Sequence, residues 1–114
     1  MTINETQDEI TAEFEGLTDW MDRYAYIIEL GNTLDKYPES DKTPANLIEG
    51  CQSRVWIDAR QERDGRITFQ ADSDAMIVKG IVALLMRVLN HRTPDEILDA
   101  DLYFINNIGL QEHL

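Results

Sequence analysis

The spacing of apolar positions divides the chain into a helical opening, a short middle of period two, and a helical close. Ile10, Phe14 and Leu17 recur at the i, i+4, i+7 spacing of one helix face, which predicts a first helix over 5–17 with Gly16 weakening its end. Thr18 or Asp19 can cap a second helix over 19–30, whose stripe is Trp20, Tyr24, Ile27 and Ile28 and whose terminator is Gly31. A short continuation through Leu34 and Tyr37 fits before Pro38. Over 37–46 the periodicity disappears among two prolines and several small polar residues, and a loop is expected. From Cys51 the period becomes two. Cys51, Ser53, Val55, Ile57 and Ala59 share one face, and Gln52, Arg54, Trp56, Asp58 and Arg60 the other. Trp56 is then the one large apolar group on the polar face. Asp64-Gly65 is a hairpin turn signal, and 66–72 reads as the return strand with Ile67, Phe69 and Ala71 inward.

The longest helix is predicted over 75–89. It is apolar on most sides, as the buried central element of a small domain would be, with Lys79 and Arg87 at its wet edge. Ser73 or Asp74 is a natural N-cap, and Gly80 leaves room for another element to come close. Asn90-His91-Arg92 ends this helix, with His91 favoured there by the helix dipole. Thr93-Pro94-Asp95-Glu96 is a second start signal, with cap, proline and capping-box glutamate in their proper places. A last helix is expected within 101–108, stopped by Gly109. Two helices, a hairpin, a long buried helix and short helices make an α+β fold in which a small antiparallel sheet of two to three strands packs against helices. A bare hairpin is marginal, so a third strand is expected near 46–49 or against 66–72.

At 114 residues the chain is the length of a single domain able to bury a core unaided. Its formal charge of −12 argues against a nucleic-acid partner, which requires a basic face. The charge is uneven: through Asp41 there are eleven acidic residues against two basic ones, and from Lys42 onward eleven against eight. The acidity therefore belongs to the N-terminal helices, either as a solvated face or as a docking surface for a basic partner. With one cysteine no internal disulfide can form. A polar, acidic N-terminus without signal-peptide character points to the cytoplasm, and the longest apolar run, 81–86, is too short to span a bilayer.

The candidate chemistry narrows to that cysteine. An arbitrary single cysteine is most simply a small buried hydrophobe. Here it follows Gly50 at a loop-to-strand junction, beside Gln52 and Ser53, which can donate hydrogen bonds, and a thiol at a sheet's rim can exchange sulfur when its thiolate is available. Metal chemistry lacks support, because one cysteine with His91 and His113 offers no ligand spacing. Phosphate-loop, dinucleotide-fold and nucleophile-elbow patterns are absent from the sequence. Asp72 and Asp74 read as caps rather than an acid–base pair.

Several blocks, in order, resemble the SufE family: Tyr26-Ile27-Ile28-Glu29-Leu30-Gly31, Gly50-Cys51-Gln52-Ser53 followed by Val55-Trp56, Asp72-Ser73-Asp74-Ala75 with Ile77-Val78-Lys79-Gly80, Thr93-Pro94, and Leu110 with His113-Leu114. Each block is weak alone; together they span nearly the whole chain. The resemblance implies a SufE/IscU-like fold without the additional cysteines a cluster scaffold needs. It implies that Cys51 is a persulfide-forming acceptor thiol, supported by Gly50, Gln52, Ser53, Asp74 and His113. The implied partners are a cysteine desulfurase of the SufS or CsdA type and an iron–sulfur scaffold complex. Nucleic acid and membrane are not among them, and the expected state is a monomer or weak homodimer. No cofactor is expected on this chain; the desulfurase would carry pyridoxal phosphate. Family members continue beyond His113-Leu114 into a turn and an amphipathic helix, which this chain is expected to lack. The alternative from a different class is an acidic protein-binding module with a structural cysteine, and a one-cysteine redox sensor is a third reading.

Overall fold

The computed structural model describes residues 1–48 and 53–110. The first helix, α1 (Ile3–Glu15), begins two residues before the apolar spacing predicts, because Thr2 and Glu5 close a capping box there. It buries Ile3, Ile10 and Phe14, and Leu17 falls past its end. In α2 (Trp20–Gly31) the cap is Asp19, whose Oδ1 accepts from the Met21 N–H at 2.9 Å. Residues 32–34 add only a turn. The 37–46 loop contains two short 3-10 turns, Glu39–Asp41 and Pro44–Asn46.

The hairpin strands β1 (Val55–Gln61) and β2 (Ile67–Ser73) pair antiparallel from Val55↔Ser73 to Gln61↔Ile67, around Gly65 at φ 88°. Strand β1 thus starts four residues after the position where the period-two pattern begins. Ser53 and Arg54 precede it, and Cys51 and Gln52 lie outside the described residues. Among the described residues the sheet has two strands, and a third is reduced to single bridges, Leu47↔Trp56 and Ile67↔Arg92. Pro44 opens a 3-10 turn through Asn46, so the extended approach to β1 begins only at Leu47.

The central helix α3 (Met76–Leu89) corrects the expected cap. Its N-cap is Ala75, with no side-chain hydrogen bond. Ser73 is still in β2, and Asp74 faces Arg54 instead of the helix. After Asn90, His91 takes a left-handed φ of 62° and donates its N–H to the Ile67 carbonyl at 2.9 Å. It serves the sheet edge rather than the helix end. Helices α4 (Pro94–Asp99), with the expected Thr93–Glu96 capping box, and α5 (Phe104–Ile108), stopped by Gly109 at φ 77°, complete the fold.

Helices α2 and α3 cross backbone to backbone. A Cβ on Gly80 would run into the Ile27 carbonyl, and one on Gly31 would lie 3.0 Å from the Gly80 nitrogen. Ile27 and Ile81 are fully buried at this crossing, within a cluster that includes Ile10, Phe14, Leu84, Phe104 and Ile108. A smaller cluster of Val55, Ala71, Val82 and Met86 lies under the hairpin. The whole is an α+β fold, one small antiparallel sheet packed against helices.

Candidate functional site

Of the residues proposed from sequence as a site, Gly50, Cys51, Gln52 and His113 lie outside the described residues. Ser53 and Asp74 are described, and so are both limbs that enter and leave 49–52. On the entering limb, the Ile48 N–H donates to the Val55 carbonyl at 2.8 Å, next to the Leu47↔Trp56 bridge. Trp56 is only 9% exposed despite standing on the polar face. The Lys42 ammonium lies 5.0 Å from its ring centroid, a cation–π contact. Lys42 also pairs with Glu39 at 3.0 Å and Asp72 at 3.2 Å, and Asp72 reaches Lys79 of α3 at 3.4 Å. The entering limb is thus tied to the outer face of the sheet and, through Asp72, to α3.

On the leaving limb, three bonds hold the Arg54 backbone. Its N–H donates to Asp74 Oδ1 at 3.0 Å. Its carbonyl accepts from the Asp74 N–H at 3.2 Å and from Ser73 Oγ at 2.8 Å. Ser73 Oγ in turn accepts from the Ala75 N–H at 3.3 Å, linking this limb to the first turn of α3. The pairing of the sheet is therefore extended one step beyond β1 by Asp74, through its backbone N–H and its carboxylate. Ser53, half-buried, precedes this clamp.

The electrostatics follow from these contacts. Burial pushes the Asp72 carboxyl up, but the Ser73 N–H, Lys42 and Lys79 outweigh it and hold the group below the ordinary carboxylate value. Hydrogen bonds from Lys42 to Glu39, then to Asp72, raise the lysine's pKa and keep it cationic. Helix α3 has neither a side-chain cap nor an acid in its first turn, so the positive end of its dipole is left uncompensated by its own residues. Beside it, Ile28 and Asn32 of α2 with Ser73, Asp74, Ala75, Met76 and Lys79 line a hollow of about 200 Å³.

The sequence reading missed Lys42, Asp72 and Lys79 as a group. The signal for them was Trp56, an apolar ring on a polar face that needs a cover. Among the described residues no cluster of three or more His, Cys, Asp or Glu is placed to hold a metal ion, and no helix is long and apolar enough to cross a membrane.

The fold and these anchors define a small α+β domain that fixes both limbs of a short segment carrying its only cysteine. The chain belongs to the SufE family: the family model described as SufE, Fe-S metabolism associated domain, matches residues 8–114. A place in iron–sulfur metabolism follows from that membership.

Proposed function

We propose that this protein is a sulfur acceptor and activator for a cysteine desulfurase, carrying a persulfide on Cys51 and passing it to an iron–sulfur scaffold. The observation that carries the reading is that the sole cysteine lies in sequence between two hydrogen-bonded anchors, Ile48 and Arg54, with five residues between them, within a SufE-family chain. Fixed limbs around a short segment suit a group that must be presented repeatedly to partners.

The chemistry is thiol exchange. The Cys51 thiol gives up its proton, and the thiolate attacks the outer sulfur of a persulfide held by the desulfurase. A sulfur–sulfur bond forms on Cys51, the donor's sulfur–sulfur bond breaks, and the donor leaves as a thiolate. A second exchange of the same kind hands the outer sulfur on and restores Cys51. The transfer needs no resident cofactor on this chain.

The test is intact-mass measurement after incubation with a purified cysteine desulfurase and free cysteine. A gain of one sulfur, about 32 Da, that disappears in Cys51→Ser is the expected result for a reactive acceptor thiol. A protein that gains no mass and does not raise desulfurase turnover is instead the acidic binding module. An adduct formed by peroxide alone, without desulfurase, marks the redox sensor.

A further inference from the structure

In the first stripe of α2 Ile27 is buried, Tyr24 half-buried and Trp20, which lies against Gly109, 46% exposed; a second stripe is more open. Met21 is 78% exposed, Ala25 is exposed and Ile28 is half-buried, at the i, i+4, i+7 spacing of a single helix face. At 3.6 residues per turn these three and Asn32 fall within about 60° of one another around the axis. Asp22 and Glu29, both exposed, flank this stripe along one side. At its far end Ile28 and Asn32 open into the hollow walled by Ser73, Asp74 and Met76, and Met76 is itself 63% exposed. A line of apolar side chains with a carboxylate border therefore runs the length of α2 and ends at Asp74, the residue that clamps the limb leaving the Cys51 segment.

We infer that this face of α2 is a docking strip for a helix of the sulfur-exchanging partner. That helix would bring apolar residues onto Met21, Ala25, Ile28 and Met76, and Lys or Arg side chains opposite Asp22 and Glu29. Charge complementarity identifies the occupant. The residues through Asp41 carry eleven acids against two bases, and one of those bases, Arg23, is turned inward to the Leu17 and Ile108 carbonyls. An acidic partner would meet like charge, whereas a basic amphipathic helix matches both the stripe and its border. A helix lying here has one end at Asp74, whose carboxylate holds the Arg54 N–H at 3.0 Å. The inference rests on the proposed function for the identity of the partner.

The experiment titrates the full chain into a purified cysteine desulfurase with free cysteine, and follows both sulfide production and the mass of the acceptor. Met21→Glu combined with Glu29→Lys raises the half-maximal concentration by about tenfold or more, with the rate at saturation unchanged and the salt dependence of association reduced. Both positions are exposed, and a thermal melt matching wild type confirms that the variant folds. An unchanged half-maximal concentration, while Cys51 still gains sulfur, overturns the docking strip and leaves the acceptor reading standing. A variant that changes only self-association in sedimentation assigns the strip to a second copy of this chain, and the inference fails. A wild-type chain that gains no sulfur and does not stimulate the desulfurase removes the acceptor reading and the strip with it.

Discussion

In the helical body Ile27, Ile81, Leu84, Phe104 and Ile108 are all exposed by 1% or less, and α2 and α3 touch through Gly31 and Gly80. Under the hairpin only Val55, Ala71, Val82 and Met86 form a cluster, each exposed by 4–8%. What that end lacks in buried apolar surface is supplied by polar ties: Lys42 over Trp56, Asp72 between two lysines, and Asp74 on Arg54. Apolar packing is cooperative and resists local change, whereas exposed hydrogen bonds and ion pairs are individually weak and can be altered one at a time. The contrast teaches that stability and site geometry are carried by different parts of the same α3 helix. Its middle and C-terminal residues pack the core, and its N-terminal approach fixes the Cys51 segment's leaving limb.

The contrast is broken most directly by core truncation. Phe104→Ala removes a fully buried ring and costs about 3–5 kcal/mol. Val82→Ala, in the smaller cluster, removes two methyl-sized groups and costs about 1.5 kcal/mol at ~0.8 kcal/mol per buried carbon. Urea-unfolding midpoints measure both. Equal losses would show that the two clusters are one core.

Next in size is the helix crossing. Gly80→Ala normally favours a helix by up to about 1 kcal/mol, but here the new methyl group meets the Ile27 carbonyl, and forcing α2 and α3 apart costs about 1–3 kcal/mol. Gly16→Ala, whose new Cβ has only an ordinary 3.7 Å contact with the Glu13 carbonyl, is the control and leaves the midpoint unchanged or slightly higher. A neutral Gly80→Ala would mean that the crossing yields readily and that the helical body is softer than its packing indicates.

Acid sharpens the comparison from the polar side. The Arg87 guanidinium hydrogen-bonds Glu13 and, against some burial, lowers its pKa, with help from the Tyr26 hydroxyl. Asp72 is also held low, as its two lysines and the Ser73 N–H outweigh burial. For both groups the folded pKa lies below the unfolded one, so the unfolded chain binds more protons as pH falls. Their contribution is full above the ordinary carboxylate range and is lost as pH drops through it toward the lower folded values. Unfolding midpoints measured from pH 6 to pH 3 should fall, and Glu13→Gln should flatten part of that slope. A flat wild-type profile would mean that these carboxylates are not held by their partners in solution.

Much of this architecture was legible because it is local. The i, i+4 spacing of Ile10 and Phe14 on α1, the Asp19 cap, the Thr93–Glu96 box and the Asp64-Gly65 turn each depend on residues a few positions apart. What was misread depends on distant partners. Ser73 and Asp74 look like caps for the helix that follows, but a short polar side chain serves whichever backbone N–H or carbonyl comes within reach. Here that is Arg54, about 20 residues earlier in the chain. Trp56 looked misplaced because its cover, Lys42, comes from a loop with no periodicity to read. Cys51 stood out in the sequence as the sole cysteine, but the anchors of its segment became visible only in three dimensions.

The smallest effect, and the most telling for the site, belongs to Asp74→Ala. The substitution removes Oδ1 as acceptor for the Arg54 N–H but leaves the Arg54 carbonyl bonded to Ser73 Oγ and to the residue-74 N–H. With two of three ties kept and the site exposed, the global midpoint should move by no more than about 1 kcal/mol, the net worth of one hydrogen bond. The local consequence is larger in kind. Amide hydrogen exchange at Arg54 should accelerate while exchange at Ile81 and Leu84 stays slow, because opening the limb does not require opening the core. The alkylation rate of Cys51 should change in the same variant, and Asp74→Asn, which keeps an oxygen acceptor, should restore both readouts toward wild type. If Asp74→Ala instead lowers the midpoint as far as Phe104→Ala does, the hairpin end and the helical body unfold as one unit, and the Cys51 segment is held by the core rather than by its polar ties.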